Sequence, residues 1–457
     1  MSPLAGASLA TRAIHEDMGL AGAEVAANIS LSTTFRHPDP AVDGAEPGYA
    51  DDWDASNPSR DVYARETKPT TTRAEHVLSS IIGQPTILYP SGMAAFWAIL
   101  LHVRPDVIAI TGGYGGCHEA IKIYRRTRGE DQVDLIKLDD DFPSASEKKL
   151  LVWVETPLNP TGESRSLDKY AKKAHDHGGL LGVDSTFGPP PLQDPFKWGA
   201  DIVMHSGTKY FNGHSDVLAG TVSVRDKADW HKLWNDRTFT GANIGSLDVW
   251  LLLRSLRTLD VRVRRQSKTA TRIAQWLATQ VGGGVVDKVH HAALQENAED
   301  LLGPGKQMEL GPACFSVVLS SKEIARALPN KLRCFIHATS LGGVESLIEH
   351  RIISDPSENP CLVRLSIGLE DFDDLKADWE QAMQAVRQVR HVTPDSLARA
   401  GLERADDPTS LYSESTGLLV LPWYKFGMRV VTPSRCSSAA VVGEQEAAGE
   451  RKRSRQG

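Results

Sequence analysis

Between about residues 85 and 225 the chain alternates short apolar runs with amphipathic stretches, and the runs end in polar or glycine-rich turns. VIAIT (107–111) is followed by GGYGGC (112–117) and a helical stretch reaching about Arg128. LLVWVE (150–155) ends in TPLNPTG, a turn that presents Asn159 ahead of a helical stretch over 167–177. A third run, 179–183, ends in Asp184-Ser185-Thr186-Phe187. This order predicts an α/β fold: a doubly wound layer with mostly parallel strands and its ligand crevice at the strands' C-terminal ends. An acid at such an end, as Asp184 is, points into the crevice. Glycines there bring backbone and one aromatic, Tyr114, to its mouth.

The next strand end carries the most chemistry. The stretch 201–224 holds Lys209 between Ser206-Gly207-Thr208 and Tyr210-Phe211, with an apolar strand on either side. Desolvation on one side and anion-gripping hydroxyls on the other make a lysine amine nucleophilic enough to form an imine. A surface lysine in a polar turn has the same spacing. Upstream, Thr70, Thr71 and Thr72 with Glu75 predict a helix start capped by hydroxyls. Ser91-Gly92 opens an all-apolar helix, so either a phosphate or a simple cap suits its N-terminus. Arg364, between Val363 and Leu365 in a strand, reads as a salt bridge to a core acid or as a carboxylate clamp.

The 457 residues suffice for two or three domains. Residues 1–60 read as an N-terminal arm, 61–255 as the large domain, 256–390 as a smaller α+β domain and 391–457 as a mostly disordered tail in which LLVLPWYKF (418–426) stands out. A net charge of -7 argues against nucleic acid or an anionic membrane as partner. The basic stripe Arg254, Arg257, Arg262, Arg264, Arg265 and Lys268 reads as a solvated helix face. No apolar run reaches the ~20 residues of a membrane span, and the N-terminus lacks a signal-peptide pattern. Five scattered cysteines, none in a CxxC, suit a reducing compartment, which places the protein in the cytoplasm. His175 and His177 lack metal-ligand spacing on a helix, so no metal is expected.

Eight segments in order carry a resemblance. They are Tyr63 and Arg65 in YAR, SGMAA (91–95), YGG (114–116), ETPLNPTG (155–162), DSTF (184–187), SGTKYFNGHSD (206–216), TSLGGVESL (339–347) and VRLSIGLED (363–371). Over roughly residues 8–390 the chain resembles the Cys/Met-metabolism family of pyridoxal-phosphate enzymes: cystathionine γ-synthases, γ- and β-lyases, and homoserine sulfhydrylases. The resemblance implies fold type I, aspartate aminotransferase-like, with a pyridoxal-phosphate-binding large domain. It implies that Lys209 forms the internal aldimine and shuttles protons, and that Asp184 binds the pyridinium nitrogen. It implies phosphate contacts from Gly92, Met93, Ser206 and Thr208, completed by Tyr63 and Arg65 of a neighbouring subunit in a homotetramer built as a dimer of dimers. Tyr114 would stack on the ring and assist proton transfer, and Asn159 would meet the phenolic oxygen or the substrate. Ser340 and Arg364 would bind the amino-acid substrate, with Tyr63 and Asn159 beside it.

The departures bear on substrate. YARETKPT carries Lys68 where the family usually has Asn, Ser185 follows Asp184 where Asn is common, and Gly113 precedes YGG where a polar residue is usual. Thr339 stands where γ-lyases often carry Glu. Together they resemble a fungal-type cystathionine γ-synthase-like branch, some of whose members build unusual amino acids. The resemblance therefore implies γ-replacement on an activated homoserine by a thiol or carbon nucleophile. Elimination by a cystathionine γ- or β-lyase and a non-catalytic scaffold are the alternatives.

Overall fold

The computed structural model describes residues 4, 6–20, 22–37, 39, 53–143 and 148–389, together with four short strands between 403 and 431. The chain divides into two compact units, Met1–Val386 and Arg387–Gly457.

In the first unit, seven strands form one sheet: β1 (Thr86–Tyr89), β2 (Val107–Ala109), β3 (Asp134–Ile136), β4 (Leu150–Glu155), β5 (Leu180–Asp184), β6 (Ile202–Ser206) and β7 (Gly220–Val224). Their order is β1-β7-β6-β5-β4-β2-β3. The β6-β5-β4-β2-β3 run is parallel, as the strand–helix alternation predicts. β7 pairs antiparallel with β6, and β1 antiparallel with β7. The connection 207–219 forms turns and no helix, and β7 folds straight back on β6.

A strand buried on both faces needs apolar residues at every position, and β4 is buried throughout. Leu151 and Trp153 enter one core and Val152 and Val154 the other. The first core is covered by α3 (Gly92–Val103) and α4 (Gly115–Arg128), after α1 (Leu9–His15) and α2 (Pro69–Ile82). Phe96 of α3 packs on Trp153 with ring centroids 4.6 Å apart. The second core includes residues of α2, α5 (Leu167–Asp176), and, after α6 (Lys227–Thr240), α7 (Ser246–Leu256) and α8 (Leu259–Ala278). It is continuous with a five-stranded sheet of β8 (Val286–His290), β9 (Cys314–Leu319), β10 (Phe335–His337), β11 (Ser346–His350) and β12 (Leu362–Ser366), ordered β10-β11-β12-β9-β8.

Several local expectations need correction. The start of α2 is not capped by a threonine hydroxyl. Lys68 is its N-cap, without a side-chain cap bond, because Pro69 fixes the first helical position. Thr70, Thr71 and Thr72 are buried within the first turn. The helical stretch after 246 is two helices, broken at Arg257-Thr258. Its arginines are not all on a solvated face: Arg262 is buried and donates to the Tyr210 and Ser255 carbonyls at 2.9 and 3.0 Å. The arm contains α1, pinned through Asp17. That carboxylate, 1% exposed, meets Arg73 and Arg257 at 2.8 Å each.

In the second unit, Glu403–Arg404, Leu411–Ser413, Leu418–Pro422 and Met428–Val431 form β13 to β16 of an antiparallel sheet. The first of the stretch 418–426 is therefore strand. The expectation of a disordered tail otherwise lies outside the described residues.

Removing one partner of a buried ion cluster strands the others. Asp17→Ala should therefore destabilise the protein by about 3 kcal/mol, read as a lower denaturant midpoint. An unchanged midpoint would show that Asp17 contributes nothing to holding α1.

Candidate active site

The parallel strands β4, β5 and β6 end side by side, and their last residues are Glu155, Asp184 and Ser206. Glu155 and Asp184 are direct neighbours in the strand register, so their side chains leave the same face. The N-terminus of α3 is against the same ends. Ser91 caps it, its Oγ accepting from the Ala94 N–H at 3.0 Å. The first-turn N–H groups of Gly92 and Met93 have no carbonyl one turn back to bond. A Cβ on Gly92 would sit 3.1 Å from Ser206 Oγ, so helix start and hydroxyl share one small cradle. Its dipole and donors suit a phosphate. Thr208 lies two residues on, and its hydroxyl accepts from the Ala219 N–H at 3.1 Å, closing the turn between β6 and β7.

Lys209 follows in that turn. Its Nζ donates to Ser340 Oγ at 2.9 Å. Burial lowers its pKa to about 8, and the nearby positive charge of Arg364 pushes the same way. Gly342, at φ +78, lets the Ser340 loop approach: a Cβ there would be 2.8 Å from the Tyr210 nitrogen and 3.0 Å from the Lys209 carbonyl carbon. Ser340 itself has φ +90, unusual for a residue with a side chain. Its carbonyl accepts from Arg364 Nη2 at 3.1 Å.

Arg364 is buried in β12, and both sequence readings bear on its contacts. It pairs with the core acid Glu349, directly opposite on β11, at 2.7 Å. It also donates to Asn159 Oδ1 at 3.0 Å. Both terminal nitrogens of the guanidinium are thereby held, and among the described residues Nε and the second Nη1 proton have no partner, which leaves single donors for a ligand.

Asp184 Oδ1 accepts the Thr186 N–H at 3.0 Å, and among the described residues no cation pairs with this carboxylate. Burial raises the pKa of Asp184, partly countered by the Thr186 hydrogen bonds. Burial and the charge of Asp184 raise that of Glu155. A buried carboxylate without a cation suits a protonated ring nitrogen. Tyr114 is the N-cap of α4 and half-exposed. Its ring lies over Gly116, where a Cβ would strike it and come within 2.9 Å of Met93 Sδ.

Lys209, Ser340, Arg364 and Asn159 are thus linked by direct hydrogen bonds, with Tyr114 and Asp184 beside them through Glu155. Gly92, Met93 and Ser206 meet at the helix start. Tyr63 and Arg65 do not join this set within the chain. Both are exposed; the Arg65 guanidinium is 5.5 Å from the centre of the Tyr63 ring and donates to the Thr238 carbonyl at 3.3 Å. Sequence reasoning gave no role to Glu349 or Glu155. Their position in buried, mostly apolar strands was the available clue, since a buried acid needs a partner.

The residues present fit pyridoxal phosphate: an amine of lowered pKa, a carboxylate for the ring nitrogen and a helix start for the phosphate. Comparison with known proteins points the same way. Residues 10–384 match the family model described as Cys/Met metabolism PLP-dependent enzyme. The chain is 34% identical to a cystathionine gamma-lyase of Dictyostelium discoideum over 373 residues, 78% of this chain and 92% of that one. It is 33% identical to a cystathionine gamma-synthase of Mycobacterium tuberculosis over 390 residues, 82% and 96% of the two chains. The crystal structure of metB from Corynebacterium glutamicum superposes with a TM-score of 0.70 at 29% identity, covering 83% of this chain and 98% of that one.

Lys209 is an ammonium below pH about 8 and a free amine above it. In cofactor-free protein, borohydride trapping of an aldehyde on Lys209 should therefore speed up through that pH and level off above it, as peptide mapping across a pH series would show. A rise only near the ordinary lysine value, ~10.4, would refute the desolvated setting.

Proposed function

The chain belongs to the Cys/Met metabolism family of pyridoxal-phosphate-dependent enzymes, and from that premise we propose that it catalyses γ-replacement on an activated homoserine, with a thiol or a carbon nucleophile. It has the family's fold type I architecture. When bound, pyridoxal phosphate supplies the electron sink that lets a proton leave the substrate's α-carbon.

The observation carrying the reading is the hydrogen-bonded run from Lys209 through Ser340 and Arg364 to Asn159. γ-Chemistry takes protons from two successive carbons, so it needs one mobile base between the cofactor and a fixed substrate. Lys209 is that base. Ser340 Oγ gives its amine a resting partner, and the lowered pKa makes the amine able to take a proton near neutrality. Arg364 receives the substrate's α-carboxylate, its guanidinium held in place by Glu349 and Asn159. Asp184 keeps a proton on the ring nitrogen. Gly92 and Met93 N–H groups with the Ser206 and Thr208 hydroxyls hold the phosphate. Tyr114 covers the ring and assists proton transfer.

The exposure of Tyr63 and Arg65 supports a role in a neighbouring subunit's site, in a homotetramer with shared sites. On this reading 61–255 is the cofactor-binding domain and 256–390 the small domain that carries the clamp. The unpaired thiols of Cys117, Cys314, Cys334 and Cys361 support a reducing, cytoplasmic setting. Replacement is preferred to elimination because Thr339, exposed beside Ser340, is neutral where γ-lyases often carry Glu. The likeness to a cystathionine gamma-lyase keeps elimination as the second reading.

Incubation with O-acetylhomoserine, O-succinylhomoserine or cystathionine and a panel of nucleophiles, with products identified by mass, should give a condensed amino acid. Release of a 2-oxo acid alone would favour a lyase. Lys209→Ala should lose the cofactor's visible band, and its turnover should fall by roughly 10²–10⁴-fold or more; survival of both would refute the assignment of Lys209.

A further inference from the structure

Glu155 is buried at the end of β4, and both of its oxygens are used. Oε2 accepts the main-chain N–H of Tyr114 at 2.6 Å. Oε1 accepts the main-chain N–H of Asn159 at 2.7 Å. These two amides belong to different turns, one after β2 and one after β4. A single carboxylate therefore ties together the turn that carries the ring-facing tyrosine and the turn that carries the asparagine bonded to Arg364. The approach is close enough to dictate sequence. Gly113 has φ +86, and a Cβ there would lie 2.5 Å from Glu155 Oε2. The glycine standing where a polar residue is usual thus admits the carboxylate beneath the Tyr114 turn.

We propose that Glu155 is a positioning residue for the bound ring: it sets Tyr114 and Asn159 together through their main chains, and it does so beside Asp184, so the charge at the ring nitrogen acts on the group that holds both turns. The proposal rests on the reading that Tyr114 and Asp184 face the cofactor. The neighbouring carboxylates share a strand register and a sheet face. Two buried like charges destabilise one another. A cation at Asp184 relieves that repulsion and leaves Glu155 free to accept both N–H groups as a full carboxylate. The bound ring and the placement of its two neighbours thereby reinforce each other.

Glu155→Gln tests this with little change of shape. The amide has one oxygen and one –NH₂, so only one of the two main-chain N–H groups keeps an acceptor. In cofactor-free protein held above pH about 8, where Glu155 is ionised, hydrogen exchange at the Tyr114 or Asn159 amide should speed up by roughly tenfold. The same variant should bind pyridoxal phosphate roughly tenfold more weakly and show a diminished visible circular-dichroism band from the reoriented ring. Unchanged exchange at both amides overturns the anchoring, and that readout needs no cofactor. Faster exchange with unaltered affinity and dichroism overturns the link to the ring. A failed assignment of Lys209 would appear separately, as a visible band that survives its substitution. Should Glu155→Gln not accumulate as folded protein, Glu155→Asp keeps the charge but withdraws the reach by one methylene. Both amides should then exchange faster, and full protection of both would overturn the proposal.

Discussion

The amine of Lys209 is removed from water and given one fixed partner, Ser340 Oγ, and the geometry around it follows from that. Desolvation alone favours the neutral amine, and a guanidinium nearby favours it further. That guanidinium is itself buried, which is tolerable only because Glu349 pairs with it from the opposite strand. Ser340 serves both groups, its hydroxyl to the lysine and its carbonyl to the arginine, and an unusual positive φ is the backbone cost of that double contact. Gly342, packed on the Lys209 main chain without a side chain, closes the loop at the distance this requires.

The seven-stranded sheet explains why these groups meet where they do. Parallel neighbours deliver their C-terminal residues to one edge, so three consecutive strands in space place Glu155 and Asp184 side by side, with Ser206 two residues past Met204, the partner of Asp184. β7 then runs back antiparallel, which holds the lysine turn close to these strand ends instead of sending it out to a crossover helix. Small residues make the approach possible: Gly92 against Ser206, and Gly207 against Ala219, where a Cβ would come within 2.8 Å.

The parallel core was legible in the sequence because a strand buried on both faces leaves an uninterrupted apolar run, as LLVWVE does. Asp184 stood out as an acid at the end of such a run, whereas the spacing around Lys209 suited a surface lysine equally and only the order of the neighbouring motifs set it apart. What stayed hidden depended on partners distant in the chain. Glu349 reads as an ordinary strand acid until β12 brings Arg364 opposite it, and Glu155 until the Tyr114 turn folds over it. α6 was missed because its aromatic and charged residues share no clear apolar stripe. The threonines before Glu75 suggested a cap that Pro69 moved one turn upstream.

The distribution of charge says more about the ligand than any single motif. Glu349 and Arg364 satisfy one another, but Asp184 and Glu155 are buried with no cation paired to them among the described residues. The start of α3 and the hydroxyls beside it offer donors without an anion. A buried carboxylate and an unfilled helix N-terminus each cost free energy when nothing meets them. A neutral ligand would relieve neither, and a purely anionic one would worsen the first while relieving the second. A molecule cationic at one end and doubly anionic at the other would relieve both at once, and an aldehyde between them would suit the Lys209 amine of lowered pKa. Pyridoxal phosphate is such a molecule, and on the proposed reading its phosphate would lie at the helix start, away from the two carboxylates.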